Sequence, residues 1–131
     1  MKRNLVLPVA SLLAILLASF HLADDITYGA DKGVAASVLI VAILAVWLFG
    51  TLMLSERRAG LIIMLVGSLL GLTIFFVHLT GAGGLQGIAI GKMSGPFFFV
   101  WTLLALAVVS LLSLALSTQG LWTLLRSNAR R

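Results

Sequence analysis

The chain has no cysteine and very little charge. Among its 131 residues only 10% are charged, four are acidic and two are histidine. Without cysteine it cannot form a disulfide, a thiolate metal site or a cysteine redox pair. Soluble domains carry about 25% charged residues, so this sequence has too few to cover the surface of a soluble fold.

Apolar residues dominate instead. They make up 61% of the chain, and the mean hydropathy is +1.18. Four apolar runs have about eighteen or more residues, enough for a helix to cross a hydrocarbon core of roughly 30 Å. We therefore predict an all-α integral membrane protein, a four-helix transmembrane bundle in a lipid bilayer. A single transmembrane domain, 1–131, leaves no room for a separate catalytic domain, so an enzyme is not the favoured interpretation.

The four predicted spans fill most of the chain. They are residues 5–22, 34–54, 59–79 and 95–117, followed by a basic tail, 118–131. The first run has the basic start of a signal peptide, but its apolar stretch is longer than a typical signal core. Cleavage after Ala23 would also place His21 where a small residue is wanted, so we interpret this run as a transmembrane helix.

The connections differ in character. Residues 23–33 are polar and predict a loop, and residues 55–58 predict a tight turn. Residues 80–95 contain six glycines around a short apolar island, a pattern that allows a re-entrant segment. The tail is expected either to continue the last helix or to lie along the membrane surface.

Basic residues predict the orientation. In an up-down-up-down bundle, one side of the membrane holds seven of them: Lys2, Arg3, Arg57, Arg58, Arg126, Arg130 and Arg131. The other side holds only Lys32 and Lys92. The positive-inside rule then predicts a cell-membrane protein with both termini cytoplasmic. The net charge of +5 is explained by topology, and we expect no nucleic-acid partner.

Two spans carry small residues at helical spacing, a pattern typical of helix packing in lipid. The residues are Ala10, Ala14 and Ala18 in the first span and Gly67 and Gly71 in the third. These stripes predict which face of each helix meets a neighbouring helix.

The stripes extend to the two histidines. From Ala18 the same helix face reaches His21 and Asp25, and a step of seven from Gly71 reaches His78. Each histidine lies roughly 24 to 26 Å along its span, at 1.5 Å per residue. Both imidazoles are therefore predicted to face the bundle interior in the same outer layer.

Three kinds of cofactor suit such a layer. A metal ion would use His21 and His78 with Asp24 or Asp25, a two-histidine, one-carboxylate set suited to iron or zinc. A haem would take His21 and His78 on its opposite faces. A quinone headgroup would hydrogen-bond the histidines against an aromatic wall formed by Phe97, Phe98, Phe99 and Trp101.

Non-cofactor interpretations also fit these residues. The histidines and acids could simply be solvated groups at span ends. The protein could be an accessory subunit of a larger complex or a homo-oligomer, or a small-solute transporter or channel. The accessory interpretation predicts that the small-residue stripes face outward and the histidines lie apart. The cofactor interpretation predicts imidazoles within several ångströms of each other.

Overall fold

The fold is built from four long helices. The computed structural model of the chain describes residues 5–27, 33–80 and 96–129. The helices are α1, Val6–Thr27; α2, Val34–Met53; α3, Arg58–Thr80; and α4, Pro96–Asn128. Each is long and apolar enough to cross a membrane. The all-α prediction is confirmed, and the four helices indicate a multi-pass membrane protein. The order of crossing and the side on which the termini lie stay predictions.

Helix α1 is longer than the sequence analysis predicted. A loop was expected over residues 23–33, but α1 continues through Asp24 and Asp25 to Thr27, so that expectation was wrong for residues 23–27. The backbone hydrogen bonds of α1 continue past the two polar aspartates. The Thr27 hydroxyl also donates to the Ala23 carbonyl at 2.7 Å. The extra turn places Asp25 on the same helix face as His21.

Helix α4 also extends beyond the predicted span. It begins at Pro96, a favourable first-turn position for proline, and passes residue 117 to end at Asn128. Most of the tail is therefore part of the helix, where the Arg126 guanidinium lies 4.8 Å from the Trp122 ring centre. Residues 81–95 of the glycine-rich segment, for which a re-entrant path is a prediction, lie outside the described residues.

The small-residue stripes lie inside the bundle. Ala10, Ala14 and Ala18 are buried, as are Gly67 and Gly71. A Cβ at Gly67 would overlap the Trp47 indole, and one at Gly71 would overlap the Ser110 hydroxyl. The stripes therefore serve close packing within this chain. The accessory-subunit interpretation had predicted the opposite, outward-facing arrangement.

Helix α2 packs against the bundle along only part of its length. Its buried residues are Trp47, Gly50 and Thr51, all near its C-terminal end. None of residues 34–46 is buried. This half of α2 leaves a cleft between itself and the neighbouring helices α1 and α3.

Candidate functional site

His21, Asp25 and His78 form a compact polar cluster. The two Nε2 atoms are 3.3 Å apart. The Oδ1 atom of Asp25 lies 3.8 Å from His21 Nε2 and 3.5 Å from His78 Nε2. The cluster joins the C-terminal parts of α1 and α3, as the extended stripes predicted.

Helical spacing positions two of the three groups. Asp25 follows His21 by four residues, which places the carboxylate one turn beyond the imidazole on the same face. The buried Ala18 lies one turn before His21 and lets α1 approach the bundle closely. His78 lies two turns beyond the buried Gly71 on α3, so close packing of both helices brings the imidazoles together.

The ring of His78 is held in one orientation. Its Nδ1 lies 2.9 Å from the Ile74 carbonyl oxygen. A carbonyl only accepts hydrogen bonds, so Nδ1 carries the proton and donates. In the neutral ring, Nε2 then presents a lone pair to His21 and Asp25. A histidine that ligates a metal commonly has this outer hydrogen bond.

The ring of His21 is enclosed by aromatic rings. It is only 2% exposed, and it lies edge-on to the His78 ring with 4.5 Å between centroids. Phe99 of α4 packs 4.8 Å from the His21 ring and 5.6 Å from the His78 ring. The Nδ1 atom of His21 has no hydrogen-bond partner among the described residues. The polar atoms of the cluster therefore work in a largely apolar surrounding.

Asp24 lies beside the cluster and not within it. The group of closely spaced ligand atoms contains Asp25, His21 and His78. The Asp24 Oδ2 atom is buried without a hydrogen-bond partner in the described part of the chain. Of the two acids that the sequence offered as ligands, the geometry brings Asp25 to the imidazoles.

The aromatic wall expected for a quinone is not assembled at the cluster. Phe97, Phe98 and Trp101 are exposed on α4, at 81%, 47% and 58%. Of the four aromatic residues named for that wall, only Phe99 contacts the histidine rings. The α4 helix turns its other aromatic side chains toward the surroundings of the bundle.

A cavity adjoins the cluster on its other side. It has a volume of about 300 Å³. Its described lining comes from α1, α2 and α3, with His21, Asp25 and His78 at one end and Trp47 and Leu70 at the other. Sequence reasoning missed this cavity because α2 is apolar on all sides, so no pattern shows which face meets the bundle.

The cluster brings together three atoms that bear lone pairs. A point equidistant from the two Nε2 atoms and the Asp25 Oδ1 atom lies about 2 Å from each, which is close to metal–nitrogen and metal–oxygen bond lengths. The lone pairs of these atoms repel one another unless a proton or a cation lies between the atoms. The geometry can therefore hold either shared protons or a metal ion.

Fold and cluster together define a class: a multi-pass α-helical membrane protein with a histidine and aspartate group near one end of its helices. Comparison with protein families, with characterised proteins and with solved structures finds no match. The function must therefore be argued from the geometry.

Proposed function

We propose that this membrane protein binds a divalent transition-metal ion, with zinc as the best fit. The ligands are His21 Nε2, His78 Nε2 and Asp25 Oδ1. The observation that carries the proposal is the spacing of these atoms, 3.3 to 3.8 Å. The ligand atoms come from two helices, and the two histidines are 57 positions apart in sequence.

The spacing is closer to tetrahedral than to octahedral coordination. Ligands about 2.05 Å from a tetrahedral metal are about 3.3 Å apart, whereas neighbouring ligands of an octahedral metal are about 2.9 Å apart at the same bond length. The observed spacing reaches the tetrahedral value between the nitrogens and exceeds it at the carboxylate. Three protein ligands leave the fourth position for water or another molecule, as in catalytic zinc sites.

The surroundings suit an ion. The outer hydrogen bond from His78 to Ile74 fixes the ring that would ligate. His78 and Asp25 are 19% and 23% exposed, which leaves an entry path that a buried site otherwise lacks. Asp24, one residue from the ligand Asp25, adds a second negative charge near the cation.

The same geometry disfavours haem. Two nitrogens on opposite sides of a metal are about 4 Å apart, with their rings pointing away from each other. Here the Nε2 atoms of His21 and His78 are only 3.3 Å apart, and the ring of one meets the other edge-on with 4.5 Å between centroids. A porphyrin plane between them would require α1 and α3 to separate.

The test is cobalt binding to purified, chelator-treated protein. Cobalt(II) replaces zinc and reports tetrahedral coordination through visible absorption. We expect one ion per chain, displaced by zinc. Asp25→Asn should weaken cobalt binding by about tenfold or more, because even changes in residues that only support metal ligands lower metal affinity by about tenfold. The matched control is Asp24→Asn, which removes the neighbouring charge and keeps all three ligands.

Two results would contradict the proposal. One is unchanged cobalt affinity in the His21→Ala, His78→Ala double variant. The other is an equal loss in Asp24→Asn and Asp25→Asn, which would mean that overall negative charge, and not the Asp25 ligand atom, attracts the ion.

A further inference from the structure

We infer that the cavity between α1, α2 and α3 binds a neutral, membrane-soluble amphiphile with a carbonyl or hydroxyl head group, of the chemical class of the quinones. This second ligand goes beyond the metal proposal, because it depends on the cavity and not on an ion.

The lining of the cavity changes from polar to apolar along its length. His21, Asp25 and His78 lie at one end, and the rest of the lining is apolar except for Thr73, whose hydroxyl already donates to the Leu69 carbonyl. A molecule with one polar end and a long apolar body matches this arrangement.

The cavity has the dimensions of a small ligand. Its volume of about 300 Å³ is at the lower end for small-molecule sites. Along α3 its lining runs from His78 to Leu70, eight residues or about 12 Å of helix. This distance accommodates an alkyl chain of medium length below a head group at the imidazoles.

Access is from the lipid side. Residues 34–46 of α2 include none that is buried, and Ile40 and Ile43, which line the cavity, are both 38% exposed. Val77, on the α3 side, is 57% exposed. A molecule dissolved in the bilayer can therefore enter between α2 and α3 without crossing water.

The charges at the polar end favour a neutral head group. Asp25 already faces both imidazoles, and no lysine or arginine of the described chain lines the cavity. In the metal-free protein, a fatty-acid carboxylate would be repelled by Asp25 and find no cation. The neutral His78 ring already donates its N–H to the Ile74 carbonyl. The N–H of His21 is therefore the one that can donate to a carbonyl oxygen, and a hydroxyl can also donate to the Asp25 carboxylate.

The test uses decylubiquinone and the fluorescence of Trp47, which lines the cavity. A Trp101→Phe, Trp122→Phe background removes the two other tryptophans, both exposed. In metal-free protein we expect saturable quenching. Ile40→Phe with Ile43→Phe fills the cavity and should weaken binding by about tenfold or more. The matched control, Val38→Phe with Leu39→Phe, enlarges residues of the same helix outside the lining.

A competition experiment with wild-type side chains in the cavity distinguishes a specific site from ordinary lipid filling. A headless alkane of the same chain length should not displace the quinone at equal concentration. Non-saturable quenching, equal displacement by the alkane, or equal affinity in the filling and control variants would overturn the inference. Because the protein is metal-free, these results stand apart from the cobalt titration.

Discussion

A closed chain of hydrogen bonds joins α1 to α2 in the bundle interior. The Trp47 indole N–H donates to Ser11 Oγ at 2.9 Å, and the Thr51 hydroxyl donates to the Trp47 carbonyl at 2.9 Å. Ser11 and Thr51 are 2.7 Å apart at their hydroxyl oxygens. Because Thr51 has already used its only proton, Ser11 donates to Thr51. Each hydroxyl therefore both donates and accepts, and Ser11 is the link contributed by α1.

Replacing Ser11 by alanine should destabilise the protein by about 0.5–2 kcal/mol. The change removes the acceptor of the Trp47 N–H and the donor to Thr51, and both groups are buried. Unfolding in mixed detergent micelles measures the difference. The control is Ser19→Ala in the same helix, where the hydroxyl bonds to the Ile15 carbonyl of α1 itself. Equal stabilities of the two variants would contradict the prediction.

The position of both histidines could be predicted from sequence, but the choice of acid could not. Helical spacing from Ala18 and Gly71 predicts that His21 and His78 face the interior, and their rings are in contact. Asp24 and Asp25 are about 100° apart around α1. Which carboxylate reaches the imidazoles depends on the rotation of α1 against α3, which packing of the whole bundle sets.

At the scale of helices, the bounds of α2 and α3 were easier to predict than the neighbours of each helix. Hydropathy placed α2 and α3 within about a residue of their observed ends, because the hydrocarbon thickness fixes span length. The polar end of α1 was missed because a hydropathy pattern marks where the apolar side chains stop. The helix itself continues beyond that point. The loose packing of α2 was also missed: a uniformly apolar helix faces lipid or protein equally well.

The contact between α2 and α3 depends on Gly67. A Cβ at this position would overlap the Trp47 indole, so Gly67→Ala should move α2 away from α3. We expect a loss of about 1–3 kcal/mol, typical of overpacking, with a shift in Trp47 emission in the Trp101→Phe, Trp122→Phe background.

Gly120→Ala is the matched control for Gly67→Ala. Its added Cβ would meet Leu61 Cδ2 at 3.1 Å, the end of a flexible side chain that can move. Alanine also favours the helix by about 1 kcal/mol over glycine, so this variant should be neutral or slightly stabilised. A Gly67→Ala protein as stable as Gly120→Ala would show that the indole contact does not set the helix distance.

At the scale of the whole molecule, orientation decides which compartment would supply an ion to the cluster. The cluster joins the C-terminal parts of α1 and α3. The seven-to-two distribution of basic residues predicts cytoplasmic termini, which would put this end of the bundle on the external side. The ion would then come from outside the cell, and protons would compete with it for the imidazoles as the external pH falls.

Cysteine labelling tests this orientation directly, because the chain has no cysteine of its own. Thr27→Cys places a thiol at the exposed last residue of α1, and Glu56→Cys places one in the exposed turn before α3. In intact cells, a membrane-impermeant maleimide should label Thr27→Cys and leave Glu56→Cys unmodified until the membrane is permeabilised. Acidic residues contribute little to topology, so the loss of Glu56 should not reverse the orientation. The opposite labelling pattern would place the cluster on the cytoplasmic side, where the cell's own metal pool would supply the ion.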